Sequence, residues 1–570
     1  MSFNISKQRR DELIAKIKAI QHYIAAAPQD KNTGALLVYL SELEKEVKSK
    51  KYGLVFEEHR DCVDETLVNH APVLTEQPDL FLDNGGQLHF LIEGDNLAAL
   101  QLLLKAYRGK IKMIYIDPPY NTGNRDFAYD DERIDKTDTF IHSKWLSFMR
   151  ERLLLARRLL TEDGIIFISI DDNEQPQLRL LCDDIFGADN FFSQVIVQSN
   201  KRGQTYKQIA KTHEYIVIYT KSADAEFNEI EKTEEDSDLN LTDGIGKYNV
   251  RELRNRNPKF GRFNRPNLFY SFYINPDAVD KDGFCPVSLV QSEEYYVEVL
   301  PYNSTGGESC WRWGTKLSAN NIKPDTQLSN LVARGKKDGG YNIYEKYRKS
   351  TYKAKSIWFD TDVISERGTV ELGELGLSQL FQFPKPLGLI GKCIQIGSNE
   401  DDIILDFFAG SGTTGQAVMK ANANDGGNRR FILCTNNESN ICRDVTYERI
   451  KRVIAKEDYF ASMKYYKVDF ISIANRVYYE YADELQQHVR ELVELENGVS
   501  FTDNAEIAIV LTDEEMETFL QNVEQYTACK RLYRGHDILL SAEQESLLTE
   551  REITVCVIPD YYYRDLEGGR

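Results

Sequence analysis

Apolar positions recur along this chain with two different periods. Residues 7–48 carry them at helical spacing, first in RDELIAKIKAIQHYI and again in GALLVYLSELEKEVKSKK. LHFLIEGDNLAALQLLLKAY then predicts a short strand, a turn at Gly94-Asp95-Asn96 and a helix. KIKMIYI (110–116) is a continuous apolar run of strand length. SKWLSFMRERLLLARRLLTEDG predicts an amphipathic helix closed by Gly164 as its C-cap, and IIFISI a strand ending at Asp171-Asp172, which are expected to cap or orient. HEYIVIYTKS (213–222) is the last strand before the pattern breaks, and the rhythm returns at DDIILDFFAGSGTTGQAVMKA and RRFILCT. Strands alternating with helices predict a mostly parallel α/β sheet. Two further strands, in AEIAIVLT and ITVCVIP, lead us to expect that 471–570 folds.

Charge separates segments that the apolar pattern leaves alike. Residues 224–243 hold nine acids and one lysine, which predicts a surface linker over 223–244. Residues 245–356 hold 19 Lys/Arg against 11 Asp/Glu, with Tyr, Phe and Asn interleaved through KYNVRELRNRNPKFGRFNRP. Residues 471–570 hold 21 acids and 8 Lys/Arg, most of the net charge of −20. The acidic average therefore does not exclude nucleic acid, because the basic stretch offers a footprint for it. No apolar run approaches the ~20 residues that span a bilayer, and MSFNISKQRRDELIAKIK has no apolar h-region, so neither membrane span nor secretory signal is expected. Nine cysteines without a C-x-x-C pair argue against a zinc site or disulfide framework and fit a reducing cytoplasm.

Two stretches carry chemistry. In ILDFFAGSGTTGQAV (404–418) a strand runs into a glycine-rich turn and a helix, where Gly410 and Gly412 permit close backbone approach and the helix start offers N–H groups to a carboxylate or phosphate. Gly410 and Gly415 have the spacing of a phosphate-binding loop, but Gln416 stands where that mechanism needs Lys. The pyrophosphate pattern G-x-G-x-x-G is met at 410, 412 and 415, and the nearest acid for a ribose is Glu438, beyond the next strand. A tight turn without a ligand is the structural alternative. The second stretch is IYIDPPYN. A carboxylate at a strand end, beside carbonyls fixed by Pro118 and Pro119, suits an NH₂ group with two hydrogens to donate: Asp117 accepts one and the Pro118 carbonyl the other. The nitrogen lone pair is then localised, and Tyr120 is placed to stack on a flat ring. The alternative is a rigid turn with an exposed tyrosine.

Together, DPPY at 117–120 and FAGSG at 408–412 resemble the catalytic and S-adenosylmethionine motifs of β-class DNA amino-methyltransferases. YGLVFEEH (52–59), EGDNLAALQLL, DGIIFISIDDNE, IFGADNFF and FQFPKPLGLI extend the resemblance to the modification (Mod) subunit of type III restriction–modification systems. The resemblance implies a Rossmann-like α/β methyltransferase fold with circularly permuted motif order, an inserted target recognition domain and a small C-terminal α+β domain. The domains expected are an N-terminal helical region (1–50), a catalytic part (51–222), the linker (223–244), target recognition (245–356), a cofactor-binding part (357–470) and an acidic assembly domain (471–570). Asp406, Phe408, Gly410, Gly412 and Thr413 are expected nearest the cofactor. Lys385 would reach its carboxylate, Asp95 would approach its adenine or cap a helix, and Glu438 is the ribose candidate. Arg251, Arg254, Arg256, Lys259, Arg262 and Arg265 would contact double-stranded DNA. The implied activity is methyl transfer to adenine N6 of a flipped-out base, with cytosine N4 as the alternative. The implied partners are a second Mod chain and a helicase–nuclease restriction subunit. A solitary methyltransferase, an RNA or protein methyltransferase and a catalytically dead DNA-binding scaffold are the other readings. A chain ending at 470 is expected to keep Asp117 and the 406–415 turn, and so to bind the cofactor.

Overall fold

The computed structural model describes residues 5–26, 31–48, 56–122, 124–129, 132–135, 138–203, 208–232, 239–337, 339–502 and 504–562. The expected helical region 1–50, the linker 223–244 and the stretch 52–59 therefore lie partly outside the described residues. The chain forms two compact units, Met1–Phe227 with Lys355–Arg570, and Asn228–Ala354.

The first unit is built on a ten-stranded sheet. Its strands in chain order are β1 His70–Glu76, β2 Gln87–Glu93, β3 Ile111–Ile116, β4 Leu160–Ile170, β5 Phe191–Val197, β6 Glu214–Thr220, β7 Ile357–Trp358, β8 Ile403–Asp406, β9 Arg430–Thr435 and β10 Ala461–Ser472. Across the sheet they run β1-β10-β2-β9-β8-β3-β4-β6-β5-β7. The six strands from β10 to β4 are parallel, while β1 pairs antiparallel with β10, β6 pairs antiparallel with β4 and β5, and β7 pairs in parallel with β5. All six residues of β3 are buried, as a strand covered on both faces requires. Ile114, Ile116, Ile166 and Ile168 join one core with the helices Asn96–Tyr107, Ile141–Leu159 and Gln175–Phe186. Met113 and Phe167 alternate to the opposite face, where they meet Gly397 at the end of the helix Leu387–Gly397.

The helix expected to close at Gly164 ends instead at Leu159, and Gly164 lies inside β4. The register explains this: Ile111 pairs with Leu160 but Met113 with Ile165, so residues 161–164 bulge from the strand. There a Cβ on Gly164 would come within 2.8 Å of the Thr161 carbonyl oxygen.

The boundary expected at 471 falls inside β10. Beyond it, the helix Val489–Asn497 packs on the helix Asn96–Tyr107 of the main core. Glu494 on that helix is fully buried, accepting from Lys464 Nζ at 2.6 Å and from the Tyr466 hydroxyl at 2.8 Å. The strands Ile507–Val510, Arg531–Arg534 and Thr554–Val557 are all parallel and alternate with the helices Asp513–Gln521 and Ala542–Glu550. The C-terminal block is thus α/β, not α+β. A helix between successive strands forces the crossover that makes neighbours parallel.

The second unit is antiparallel. Its five-stranded sheet runs Leu241–Thr242, Lys247–Glu252, Tyr341–Tyr347, Leu331–Gly335, Phe284–Cys285, and Phe272 and Trp311 stack edge to face in its core. Part of the acidic stretch expected as a linker belongs to this unit: Leu241–Thr242 is an edge strand, and Ile230–Glu231 pairs with Thr351–Tyr352 where the chain enters and leaves. Asp243 explains why acids sit here, since it is buried between Lys346 (2.6 Å) and Arg348 (2.7 Å). Among the described residues no helix is long and apolar enough to cross a membrane.

Candidate active site

β3 and β8 are adjacent and parallel, with Met113 opposite Ile404 and Ile114 opposite Leu405. Asp117, one residue past β3, and Asp406, the last of β8, therefore emerge side by side at the carboxyl edge of the sheet, where open α/β sheets bind ligands.

The turn after Asp117 is fixed from behind. The indole N–H of fully buried Trp145 donates to the Pro119 carbonyl at 2.8 Å. No donor among the described residues reaches the carbonyl of Pro118. Asn121 adopts φ +56° and donates to the Ile141 carbonyl at 3.2 Å and to Glu174, turning the chain away after Tyr120. Beside Asp117 stands a cluster that the sequence reading did not assemble. The Lys385 ammonium donates to the Tyr120 hydroxyl at 2.6 Å and to Glu214 Oε2 at 2.8 Å, and lies 3.4 Å from Asp117 Oδ1. The Tyr120 hydroxyl in turn donates to Glu214 Oε2 at 3.1 Å. Burial pushes the Asp117 carboxyl above its usual range, with Lys385 pulling the other way and Glu214 adding to the rise. Burial works against the charge of Lys385, but Asp117 and Glu214 outweigh it and hold the ammonium above its ordinary value. The Tyr120 phenol is pushed far up by burial and then by Asp117.

The glycine turn is equally constrained. Asp406 is buried; one oxygen accepts from the Phe408 amide at 3.0 Å and the other from the Thr414 hydroxyl at 2.5 Å. Burial pushes its carboxyl up to about 7. Gly410 and Gly412 have φ of +49° and +77°. A Cβ would lie 3.3 Å from the Phe381 ring at Gly410 and 3.2 Å from Thr446 at Gly412. Gly412 caps the helix Thr413–Asp425, whose first N–H groups face the turn. Gly415 serves packing instead, since a Cβ there would strike Ile450 at 2.7 Å. Behind the turn, the Arg449 guanidinium donates to the hydroxyls of Ser411 (3.0 Å) and Thr413 (2.7 Å), and burial pulls it down to about 10.

Of the residues expected near a cofactor, Asp406, Phe408, Gly410 and Gly412 form this turn. Thr413 is buried beneath it, its hydroxyl donating to the Lys385 carbonyl at 3.1 Å. Lys385 thus joins the turn through its backbone and the Asp117 cluster through its ammonium. Asp95 caps its helix by accepting from Leu97 N at 2.7 Å, and its other oxygen lies 3.3 Å from Arg152 Nη2. Arg152 also grips Asn96, whose amide donates to the Phe407 carbonyl at 3.1 Å, tying the Gly94-Asp95-Asn96 turn to the glycine turn. Glu438 stands exposed in a short turn after β9. Asp171 and Asp172 both pair with Lys211, at 3.0 and 3.2 Å.

In the second unit, Arg254 is largely covered and pairs with Glu252 at 2.8 Å. Arg251, Arg256, Lys259, Arg262 and Arg265 are exposed. Of these, Arg256 pairs with Glu252, Arg262 pairs with Glu308, and Arg265 lies 4.1 Å above the Phe260 ring.

A carboxylate-bearing Pro-Pro turn and a glycine turn thus stand on neighbouring parallel strands at one edge of an α/β sheet. The DNA methylase family model matches residues 111–448, and the chain belongs to that family. It is 36% identical over 393 residues to the type III restriction-modification enzyme EcoPI Mod subunit of Escherichia phage P1, covering 62% of this chain and 58% of that one. It is 34% identical to the type II methyltransferase M.KpnI of Klebsiella pneumoniae, covering 66% of this chain and 90% of that one. Among solved structures, the cytosine-N4-specific PvuII DNA methyltransferase matches with a TM-score of 0.31 and 11% identity, over 67% of this chain and 97% of that one.

Proposed function

We propose that this chain is a cytoplasmic DNA methyltransferase that moves a methyl group from S-adenosylmethionine to adenine N6, as the modification subunit of a type III restriction–modification system. The observation that carries the reading is the adjacency of Asp117 and the glycine turn on β3 and β8. The turn fits the cofactor: two left-handed glycines leave a cradle that side chains would fill, and a helix start offers N–H groups to a carboxylate. S-adenosylmethionine, when bound, supplies a methyl group on a positively charged sulfur. Gly410, Gly412 and the start of the helix Thr413–Asp425 would hold its amino-acid part, with Asp95 and Glu438 the candidates for its adenine and ribose. The motif order, Asp117 before the glycine turn, supports a circularly permuted methyltransferase sheet.

The chain's own residues would act by positioning. Tyr120 stacks on the flipped base, offsetting part of the few kcal/mol that unstacking costs. Asp117 and the Pro118 carbonyl accept the two amine hydrogens and direct the nitrogen lone pair out of the ring plane. Asp117 and Pro118 would hold this nitrogen toward the methyl group that bound S-adenosylmethionine would supply, and the displaced amine proton would pass by way of Asp117 to solvent. The exposed arginines and Lys259 of the second unit supply phosphate and base contacts. A homodimer and a restriction subunit are the partners this reading expects. The match spanning 90% of M.KpnI favours a second reading, a methyltransferase that works without a restriction subunit.

Purified protein should transfer tritiated methyl groups to genomic DNA, and digestion should recover the label as N6-methyladenine. Label in N4-methylcytosine would overturn the choice of adenine, and no label in DNA would overturn the activity. Asp117→Ala should lower turnover at least a hundredfold while calorimetric affinity for S-adenosylhomocysteine stays within threefold.

A further inference from the structure

Glu214 heads β6, two strands from β3, and its place in an apolar strand gives no sequence signal of function. Its side chain is 10% exposed. One oxygen accepts from both Lys385 and Tyr120, while Oε1 is buried and meets no donor among the described residues. One ammonium thus serves two carboxylates unequally, at 2.8 Å from Glu214 and 3.4 Å from Asp117. The Tyr120 hydroxyl, 2.6 Å from the same nitrogen, lies near both carboxylates and donates to Glu214. An ammonium seated fully on Asp117 would occupy the lone pairs that the substrate amine needs.

We infer that Glu214 is a positioning residue that draws the Lys385 ammonium and the Tyr120 hydroxyl to itself, leaving the Asp117 carboxylate open to the amine of the target base. The inference rests on the methyltransferase reading above and adds to it the device that keeps the acceptor and a cation from neutralising each other. Without Glu214, Lys385 has Asp117 as its remaining carboxylate partner. The acceptor would then be occupied, and its ionised form would be stabilised by the full charge of the ammonium. The same exchange would take from the Tyr120 hydroxyl one of its three charged neighbours, Glu214, Lys385 and Asp117, loosening the ring that stacks on the base.

The charged and titratable groups facing Asp117 come from four elements. Lys385 precedes the helix Leu387–Gly397, Glu214 lies on β6, Tyr115 and Tyr120 flank Asp117 along its own segment, and Asp406 ends β8. Lys385 lowers the Asp117 pKa and Glu214 raises it. Activity that needs ionised Asp117 has an acid limb set by that balance. Removing Glu214 should move the limb to lower pH, and removing Lys385 should move it to higher pH.

The test is single-turnover methylation of genomic DNA with enzyme in excess, from pH 5 to 9, on wild type, Glu214→Gln and Lys385→Met. Glu214→Gln should lose at least tenfold in rate at pH 8, with its acid limb shifted to lower pH and S-adenosylhomocysteine affinity within threefold of wild type. Lys385→Met should shift the limb the opposite way. Shifts in the same direction, an unmoved limb in Glu214→Gln, or cofactor affinity that falls in step with rate would overturn the inference. Should Glu214→Gln not fold, an unmoved limb in Lys385→Met overturns it alone. A wild type that methylates no DNA would instead overturn the enzymatic reading itself, and this inference with it.

Discussion

Asp406 is the residue whose environment departs furthest from what its position suggests. A strand-end acid beside a glycine turn reads as a ligand, yet both of its oxygens are taken by Phe408 N and the Thr414 hydroxyl. Its carboxyl is raised from 3.8 to about 7. The folded chain therefore keeps a proton that the unfolded chain releases, so the stability from this group is full below pH 3.8 and is lost as pH rises through about 7. The span corresponds to at most about 4 kcal/mol. The Tm of wild type minus that of Asp406→Asn should fall between pH 4 and 7 and level off above it, in melts without cofactor. A difference that stays constant would show that Asp406 titrates normally. Residues whose position follows from local backbone geometry were legible in the sequence: Asp117 and Tyr120 in the turn their prolines set, Gly410 and Gly412 by their missing side chains. Glu214 and Arg152 were not, because one sits in a strand pattern and the other in an amphipathic helix, and only tertiary contact gives either a partner. Lys385 was legible in part: expected at the cofactor carboxylate, it is joined to the glycine turn through its backbone while its ammonium lies in the Asp117 cluster.

Among the elements, the helix Val489–Asn497 matters most to where the catalytic unit ends. Acidic composition suggested a separate assembly domain after 470, but this helix buries Leu492, Val493 and Leu495 in the main core. Composition misleads here because one of its acids, Glu494, is an interior partner rather than a surface charge. Besides Lys464 and Tyr466, it accepts from the Phe501 amide at 2.7 Å. Glu494→Ala would leave the fully buried Lys464 with Glu76 alone, 2.8 Å away. Breaking a buried pair of this kind costs about 3–5 kcal/mol. Glu494→Ala should therefore lower the Tm of the whole catalytic unit by several degrees, read as one cooperative loss of ellipticity with cofactor release. A melt unchanged from wild type would restore the boundary at 470. For the same reason, a chain ending at 470 is now expected to fold poorly rather than to bind cofactor. The sheet strands themselves were legible, since 110–116 and 213–222 contain β3 and β6. The Gly164 C-cap was not, because the sequence does not distinguish a glycine that ends a helix from one that fits a bulge.

At the scale of the whole molecule, the second unit enters and leaves through one antiparallel ladder, with Glu231 opposite Thr351 and Ile230 opposite Tyr352. Joining Glu231 to Thr351 through an Asn-Gly turn, in place of 232–350, would close that ladder as a hairpin. The shortened protein should bind S-adenosylhomocysteine within about threefold of wild type and lose most of its DNA affinity, together with the salt dependence of that affinity. DNA affinity that survives the excision would put recognition in the first unit. The basic composition of 245–356 made a distinct unit legible. Its limits at 228 and 354 were not, since ion pairs such as Asp243 with Arg348 draw acidic residues into it. The strand order bears finally on how the protein is made. Among the described residues β1 pairs only with β10, and β2 only with β9 and β10, so these two strands find no neighbour until residues 430–472 follow. At about 5–20 residues per second, the wait between β2 and β9 is roughly 20–70 s. Until β9 emerges, the apolar strand Leu88–Ile92 has no strand partner among the described residues. That strand is thus exposed to holding chaperones over this interval, and Asp117 meets the glycine turn only once residues 403–415 have been translated.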